Sequence, residues 1–315
     1  MNNSAGKEHS RFSSESALLL MTLLWGATFV IVKESIRDIS SMLFVAGRFG
    51  IAGVILFIAL VYRKKKFVKE AFGPGIFLGV FLYLSFITQT IGLKYTTATN
   101  SGFITGSSVV IVPFLQFFIQ KKKPSRGAII GTIIVFIGIL FLSSGGNSVT
   151  AFLSQFGQNF NLGDGLTLAC AFFYAFHIVF IDSISTKHDN WILLFTQIIT
   201  VGVLALLTAF MFAGLSIEPL RVTFSRYLIF GIAYTSIFTT LVTIGLQTKF
   251  QKNVTPTQAG IIYSFEPIFA AIFAFFLLNE KISMFGLVGC VLIFLGLIAS
   301  MLLDPGMVKE VELNG

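Results

Sequence analysis

A chain of 315 residues that is 55% hydrophobic and 11% charged, with a mean hydropathy of +0.87, is not built to be solvated on every side; soluble domains carry about 25% charge. Its net charge of +8 would suit a polyanion, but the lysines and arginines stand in short clusters between apolar runs. That pattern marks topology and argues against a nucleic-acid partner. Two cysteines, Cys170 and Cys290, lie within apolar runs without CxxC or metal-ligand spacing. No metal and no cofactor are therefore expected, and no Walker-type phosphate loop points to ATP hydrolysis.

The polar start MNNSAGKEHSRFSSES leads into the first apolar run without a small-x-small cleavage signal, so a retained first helix is expected. Ten apolar runs follow, at 16–33, 42–62, 73–93, 97–119, 126–143, 164–183, 190–213, 227–249, 256–278 and 283–303. Each is close to the ~20 residues that cross a bilayer as helix. The expected fold is an all-α membrane protein of ten transmembrane helices in two inverted five-helix repeats. The expected boundaries are a tail at 1–15, a first repeat at 16–145, an external loop at 146–162, a second repeat at 163–303 and a tail at 304–315. Asp164 reads as the N-cap of the sixth helix.

Fifteen Lys and Arg residues fall on the side of the N-terminus, with RKKK at 63–66 and KKK at 121–123 the densest clusters, against six on the other side. Only Arg48 lies in the interior of a run rather than at its end. The positive-inside rule then puts both termini in the cytoplasm, in a multi-pass protein of the cell membrane. The sequons at 2–4 and 253–255 fall on that same side and are discounted.

The halves repeat. Shifted by 158, ITQTIGLKYTTATNSGF (87–103) lies on GLQTKFQKNVTPTQAGI (245–261), matching Gln89 with Gln247, Thr90 with Thr248, Thr99 with Thr257 and Gly102 with Gly260. The same shift brings Ser125 onto Ser283, Gly131 onto Gly289 and Gly138 onto Gly296; a shift of 149 puts Trp25 on Tyr174 and Thr28 on His177. Five helices per copy is an odd number, so the second copy enters the membrane upside down. Inverted repeats of this kind are a signature of secondary transporters, with the site near the midplane.

Polar residues in the runs form faces. Tyr263 and Glu266 share one on the ninth run, matched on the fourth by Thr105 and Ser108. Ser236, Thr240, Thr243 and Gln247 stripe the eighth, and Ser85 with Gln89 is a thinner counterpart on the third. Trp25 with Thr28 and Tyr174 with His177 stand one turn apart. The substrate cavity is expected to be lined by Trp25, Thr28, Gln89, Thr105, Ser108, Tyr174, His177, Thr240, Thr243, Gln247 and Tyr263, although Ser and Thr also stitch helices together. His177 has proton-relay chemistry, against a packing role. An acid at a helix centre costs roughly 2.5–3.5 kcal/mol. Glu266 is either a proton-coupling carboxylate or a structural partner for Arg48 or for backbone freed by Pro267. Arg48 is read as a structural charge, and Pro113 and Pro267 as kinks at unmatched positions. The spacings Gly75-xxx-Gly79 and Gly127-xxx-Gly131 suit close packing within the chain.

WGATFVIVK (25–33), Arg48-Phe49, YTTATNSGFITGSSVVIVPFLQFF (95–118) and SFEPIFAAIFAFFLLNEKIS (264–283) together resemble the drug/metabolite transporter superfamily, of the ten-helix EamA type, over residues 17 to 303. KKKPS at 121–125 departs from the pattern, since family members often carry an acid there, as Glu280 stands in the second repeat. The resemblance implies two inverted bundles that export or take up small metabolites, often amino acids. The expectation is a secondary active transporter working by alternating access, proton-coupled or facilitated, that exports amino acids or related compounds. Its partners would be that small molecule, membrane lipid and protons, and it would be a monomer or weak homodimer. The open alternatives are a passive facilitator or channel and an integral-membrane enzyme; no enzyme activity is expected.

Overall fold

The computed structural model describes residues 2–65, 67–143, 148, 150–151, 153–154, 160–278 and 283–303. The helices are α1 (Asn2–Gly26), α2 (Thr28–Ser35), α3 (Ser41–Tyr62), α4 (Phe72–Tyr95), α5 (Ala98–Gly106), α6 (Ser108–Gln120), α7 (Arg126–Ser143), α8 (Leu162–Ser185), α9 (Asn190–Gly214), α10 (Arg226–Ser236), α11 (Thr243–Phe250), α12 (Pro256–Tyr263), α13 (Glu266–Leu278) and α14 (Met284–Leu302). They make ten spans. The first is α1 with α2, the fourth α5 with α6, the eighth α10 and α11 joined by a π-helical turn at Ile237–Val242, and the ninth α12 with α13. Among the described residues, eight spans are single helical stretches long and apolar enough to cross a membrane, and Arg126–Leu142 is a shorter apolar helix. The only β pairing there is an isolated bridge between Ile39 and Val222.

Packing between the halves obeys a pseudo-twofold. The fifth span lies along the tenth and the second along the seventh. The third packs on the sixth and seventh as the eighth packs on the first and second, and the fourth meets the sixth as the ninth meets the first. Glycines permit the tightest seam: a methyl at Gly131 would stand 2.7 Å from the Gly296 carbonyl, and one at Gly138 would stand 2.9 Å from that of Gly289. These are the glycines that the 158-residue shift pairs, so the repeat places small residues on both sides of its own axis. Gly79 lies against Thr200 and Gly127 against Leu303, so both glycine spacings serve packing within the chain.

The repeat also fixes where helices start. Thr97 accepts from Asn100 N at 3.0 Å, and its partner Thr255 from Gln258 N at 3.3 Å. Ser125 accepts from Ala128 N at 3.1 Å, and Ser283 from Gly286 N at 3.0 Å. Each satisfies a first-turn N–H that no helix can bond internally.

Some expectations need correction. Asp164 is not the N-cap of the sixth span; Asn161 caps it, accepting from Gly163 N and Asp164 N, and the Asp164 side chain completes a capping box. The carboxylate also accepts from Thr96, which ties the third span to the sixth. Residues 2–15 are helical and run continuously into the first span. Most of the 146–162 loop, Glu280 and the 304–315 tail lie outside the described residues.

Pro113 lies inside α6, which continues past it; the break in the fourth span comes earlier, at Ser107. Pro267 is the second residue of α13, where its missing N–H costs little; the ninth span breaks before it, at Ser264 and Phe265. Ser107 and Phe265 are repeat partners, so the breaks match. At both, a serine hydroxyl turns back onto the preceding turn: Ser107 donates to Ile104 O at 2.6 Å and Ser264 to Gly260 O at 3.0 Å.

Candidate functional site

A narrow cavity of about 50 Å³ lies between the first, second, third, fourth, sixth and ninth spans. It is lined by Trp25, Thr28, Phe29, Val32, Arg48, Leu82, Ser85, Phe86, Gln89, Leu93, Thr105, Cys170, Tyr174 and Glu266. The chain's direction gives its depth. Trp25 to Val32 occupy the far part of the first span, Leu82 to Leu93 the far part of the third, and Arg48, Thr105 and Cys170 the early parts of spans that start at the far side. The cavity therefore fills the half of the bundle remote from the termini.

Glu266 opens α13, so its carboxylate sits at a helix N-terminus, where the macrodipole favours negative charge. Among the described residues it makes no ion pair, with Arg48 or any other base, and no hydrogen bond. Arg48, 2% exposed, comes from the second span. Its Nε donates to Thr240 Oγ1 at 2.6 Å and its Nη2 to the Thr239 carbonyl at 2.7 Å. The guanidinium stands over the Phe86 ring at 4.6 Å and the Phe49 ring at 5.3 Å. Thr239 lies in the π-helical turn, and Trp25 Nε1 donates to the same carbonyl at 3.3 Å. Such a bulge skips one helical hydrogen bond, and here the eighth span presents a carbonyl to two cavity-lining side chains.

Below the cavity, towards the termini, the space is filled. Trp25 meets Tyr174 edge-on at 5.5 Å and Tyr263 at 6.1 Å. Gln247 donates to the Tyr174 hydroxyl at 3.3 Å and to Gln251 Oε1 at 2.9 Å; Tyr263 donates to the same Oε1 at 2.8 Å, and Gln251 Nε2 donates to Ile178 O at 2.6 Å. This aromatic and amide layer is the cavity floor.

Of the expected lining residues, Trp25, Thr28, Gln89, Thr105 and Tyr174 reach the cavity, together with Glu266. The structure does not bring the others to it. Gln247 and Tyr263 belong to the floor. Thr240 holds Arg48 from behind, and Thr243 is buried on the same span. Ser108 begins α6 facing the core, because the break at Ser107 resets the helical phase. His177 is wholly buried between the sixth and seventh spans, its Nε2 2.8 Å from Gln197 Oε1. Arg48, read as a structural charge, lines the cavity, and among the described residues no acid pairs with it. The lining residues that polarity did not flag, namely Phe29, Val32, Leu82, Phe86, Leu93 and Cys170, lie one turn from flagged ones. Extending each flagged face by i±3 and i±4 would have found them.

A model of the EamA-like transporter family matches residues 13–144 and 161–302, one copy per repeat. An "uncharacterized transporter" of Archaeoglobus fulgidus is 30% identical over 288 residues, 91% of this chain and 85% of its own length. The "uncharacterized transporter YyaM" of Bacillus subtilis is 24% identical, covering 90% and 92%. An "S-adenosylmethionine/S-adenosylhomocysteine transporter" of Chlamydia muridarum is 22% identical, covering 84% of each chain. A solved crystal structure superposes with a TM-score of 0.74 over 94% of this chain and 99% of its own, at 15% identity, which shows the fold alone. These relatives carry transporter names rather than enzyme names. With both repeats matched and the inverted bundle built around one cavity, the chain belongs to the EamA-like transporter family, within the drug/metabolite transporter superfamily.

Proposed function

We propose that the protein is a secondary active transporter that exports amino acids or related small compounds across the cytoplasmic membrane by alternating access, with Glu266 as its coupling group. The observation that carries this is an unpaired carboxylate on the wall of a cavity within the bundle, at a helix break in an inverted-repeat fold. An acid without a base inside a membrane span is costly, and a cycle of protonation and cargo contact gives it a use. With the termini in the cytoplasm, the cavity half faces outward and the floor closes the inner side. The adenosyl compounds in the name of the Chlamydia muridarum relative are amino-acid derivatives, which supports the substrate class.

The test is a metabolite efflux screen of overexpressing cells, with counterflow in reconstituted vesicles. The wild type should show trans-stimulated exchange of at least one amino-acid-like compound. Glu266→Gln should abolish pH-driven transport while membrane expression stays near normal. Exchange without trans-stimulation would favour a passive channel, and loss of folded Glu266→Gln protein would favour a structural acid.

A further inference from the structure

We infer that Arg48 is an anion-binding subsite, and that the cargo carries a carboxylate which docks on its cavity-facing edge. This rests on the transport function proposed for the same cavity and names the chemistry that the cavity selects. Arg48 is 2% exposed, within a span that crosses the membrane, yet its two hydrogen bonds go to a neutral hydroxyl and a carbonyl. Among the described residues no carboxylate lies within ion-pairing distance. A guanidinium has five N–H donors in a planar fork. Nε and one Nη2 hydrogen are used, which leaves Nη1 and the other Nη2 hydrogen as the edge that a carboxylate engages in a paired fashion.

A buried charge without a counter-ion keeps its desolvation cost unrepaid, so a structural clamp between the second and eighth spans does not account for an arginine here. A clamp needs only the two bonds already made, and an amide could supply them. The surroundings fix the plane of the fork. Phe86 covers one face, Thr240 holds Nε, and the carbonyl freed by the π-helical turn holds Nη2. Trp25, which donates to that same carbonyl, also lines the cavity. Glu266 reaches the same cavity without pairing to Arg48, so cargo meets a base and an acid as separate groups. Gln197, the repeat partner of Arg48, bonds His177 instead, so the subsite exists once, in the half of the molecule where the cavity is.

The experiment uses the purified full chain and three probes that share one side chain: phenylalanine, its decarboxylated amine phenethylamine, and its deaminated acid 3-phenylpropionate. The leucine triad runs in parallel. Ligand-induced thermal stabilisation gives the apparent affinity of each, and counterflow in vesicles reads transport. The zwitterions and acids should stabilise the wild type and the amines should not. Arg48→Gln should raise the half-saturating acid concentration at least about tenfold, which is about 1.4 kcal/mol, and Arg48→Lys should recover part of it. Thr240→Val, which releases Nε while keeping the charge, should give an intermediate shift and serves if Arg48→Gln does not fold. Stabilisation by amines equal to that by acids, unchanged acid binding in Arg48→Gln, or no carboxylate response at all would overturn the subsite. In each of those cases, trans-stimulated exchange of a neutral or cationic metabolite would leave the transport function standing. Absence of any exchange would sink both.

Discussion

Gln89 and Gln247 occupy equivalent positions in the two repeats and stand in opposite circumstances. Gln89 borders the empty cavity and makes one long bond, donating to Thr105 at 3.4 Å. Gln247 is wholly buried, donating to Tyr174 and to Gln251, and Gln251 also holds Tyr263. Thr105 and Tyr263 are themselves repeat partners, as are Trp25 and Tyr174, which meet at the axis. The cavity side and the floor are thus one constellation in two arrangements, one around empty space and one collapsed. Under the alternating-access function proposed above, exchanging the two arrangements would move the space from one side of the membrane to the other without a new kind of contact. The residues differ enough to bias that exchange, because Leu93 stands where the other repeat has Gln251.

The largest effect should come from probing the two sides with single cysteines in a Cys170→Ser, Cys290→Ser background. Thr105→Cys should react with a polar maleimide, whereas Tyr263→Cys, in the collapsed layer, should be protected. Transported cargo should slow the first and speed the second. Equal labelling at both positions, with and without cargo, would remove the contrast between cavity and floor.

A smaller effect is expected from equalising the repeats with Gln251→Leu. The substitution leaves the Tyr263 hydroxyl and the Gln247 amide without their shared acceptor, at about 1–3 kcal/mol for a buried group that loses its partner. Those bonds belong to the collapsed floor alone, so the cost falls on one conformation and shifts the equilibrium about tenfold per 1.4 kcal/mol. In the Tyr263→Cys reporter, which itself lacks the tyrosine hydroxyl, Gln251 still bonds Gln247 and Ile178, and labelling should rise when Gln251→Leu removes those bonds. No rise would mean that the floor is held by its rings rather than by its hydrogen bonds.

How far the sequence reveals this arrangement depends on what each residue is read for. Ten spans and their pairing are legible because apolar length and a repeat are properties of the chain itself. The matched residues Thr97 and Thr255, Ser125 and Ser283, and Gly131 and Gly289 do local work that the structure makes explicit: they cap helices and let two helices touch. The helix breaks were not foreseen, because the residues that make them are serines rather than the prolines read as kinks. Pro113 lies inside a continuous helix, while Ser107 and Ser264 turn the chain. The π-helical turn at Ile237–Val242 carries no proline or glycine, and neither the carbonyl it offers nor the exposure of Arg48 to the cavity can be inferred from spacing. Polarity pointed correctly to Gln247 and Tyr263 as inward-facing, but whether an inward face meets space or a neighbour is decided by the conformation that the bundle adopts.

The smallest effect separates local from global symmetry. Thr97→Ala and Thr255→Ala each remove an N-cap, and each should cost about 1 kcal/mol of helix stability, read as a similar small drop in melting temperature. Their effects on transport should differ. Thr255 starts α12, which carries Tyr263 into the floor and continues across the break to Glu266, and it sits in a full capping box with Gln258. Thr97 starts α5, which carries Thr105 on the side where the cavity is empty. Fraying at Thr255 should loosen the closed floor and raise labelling of Tyr263→Cys, whereas fraying at Thr97 should leave it unchanged. If the two alanines move that labelling equally, the equivalence of the repeats extends to their energetics, and Gln251 is not what sets the two sides apart.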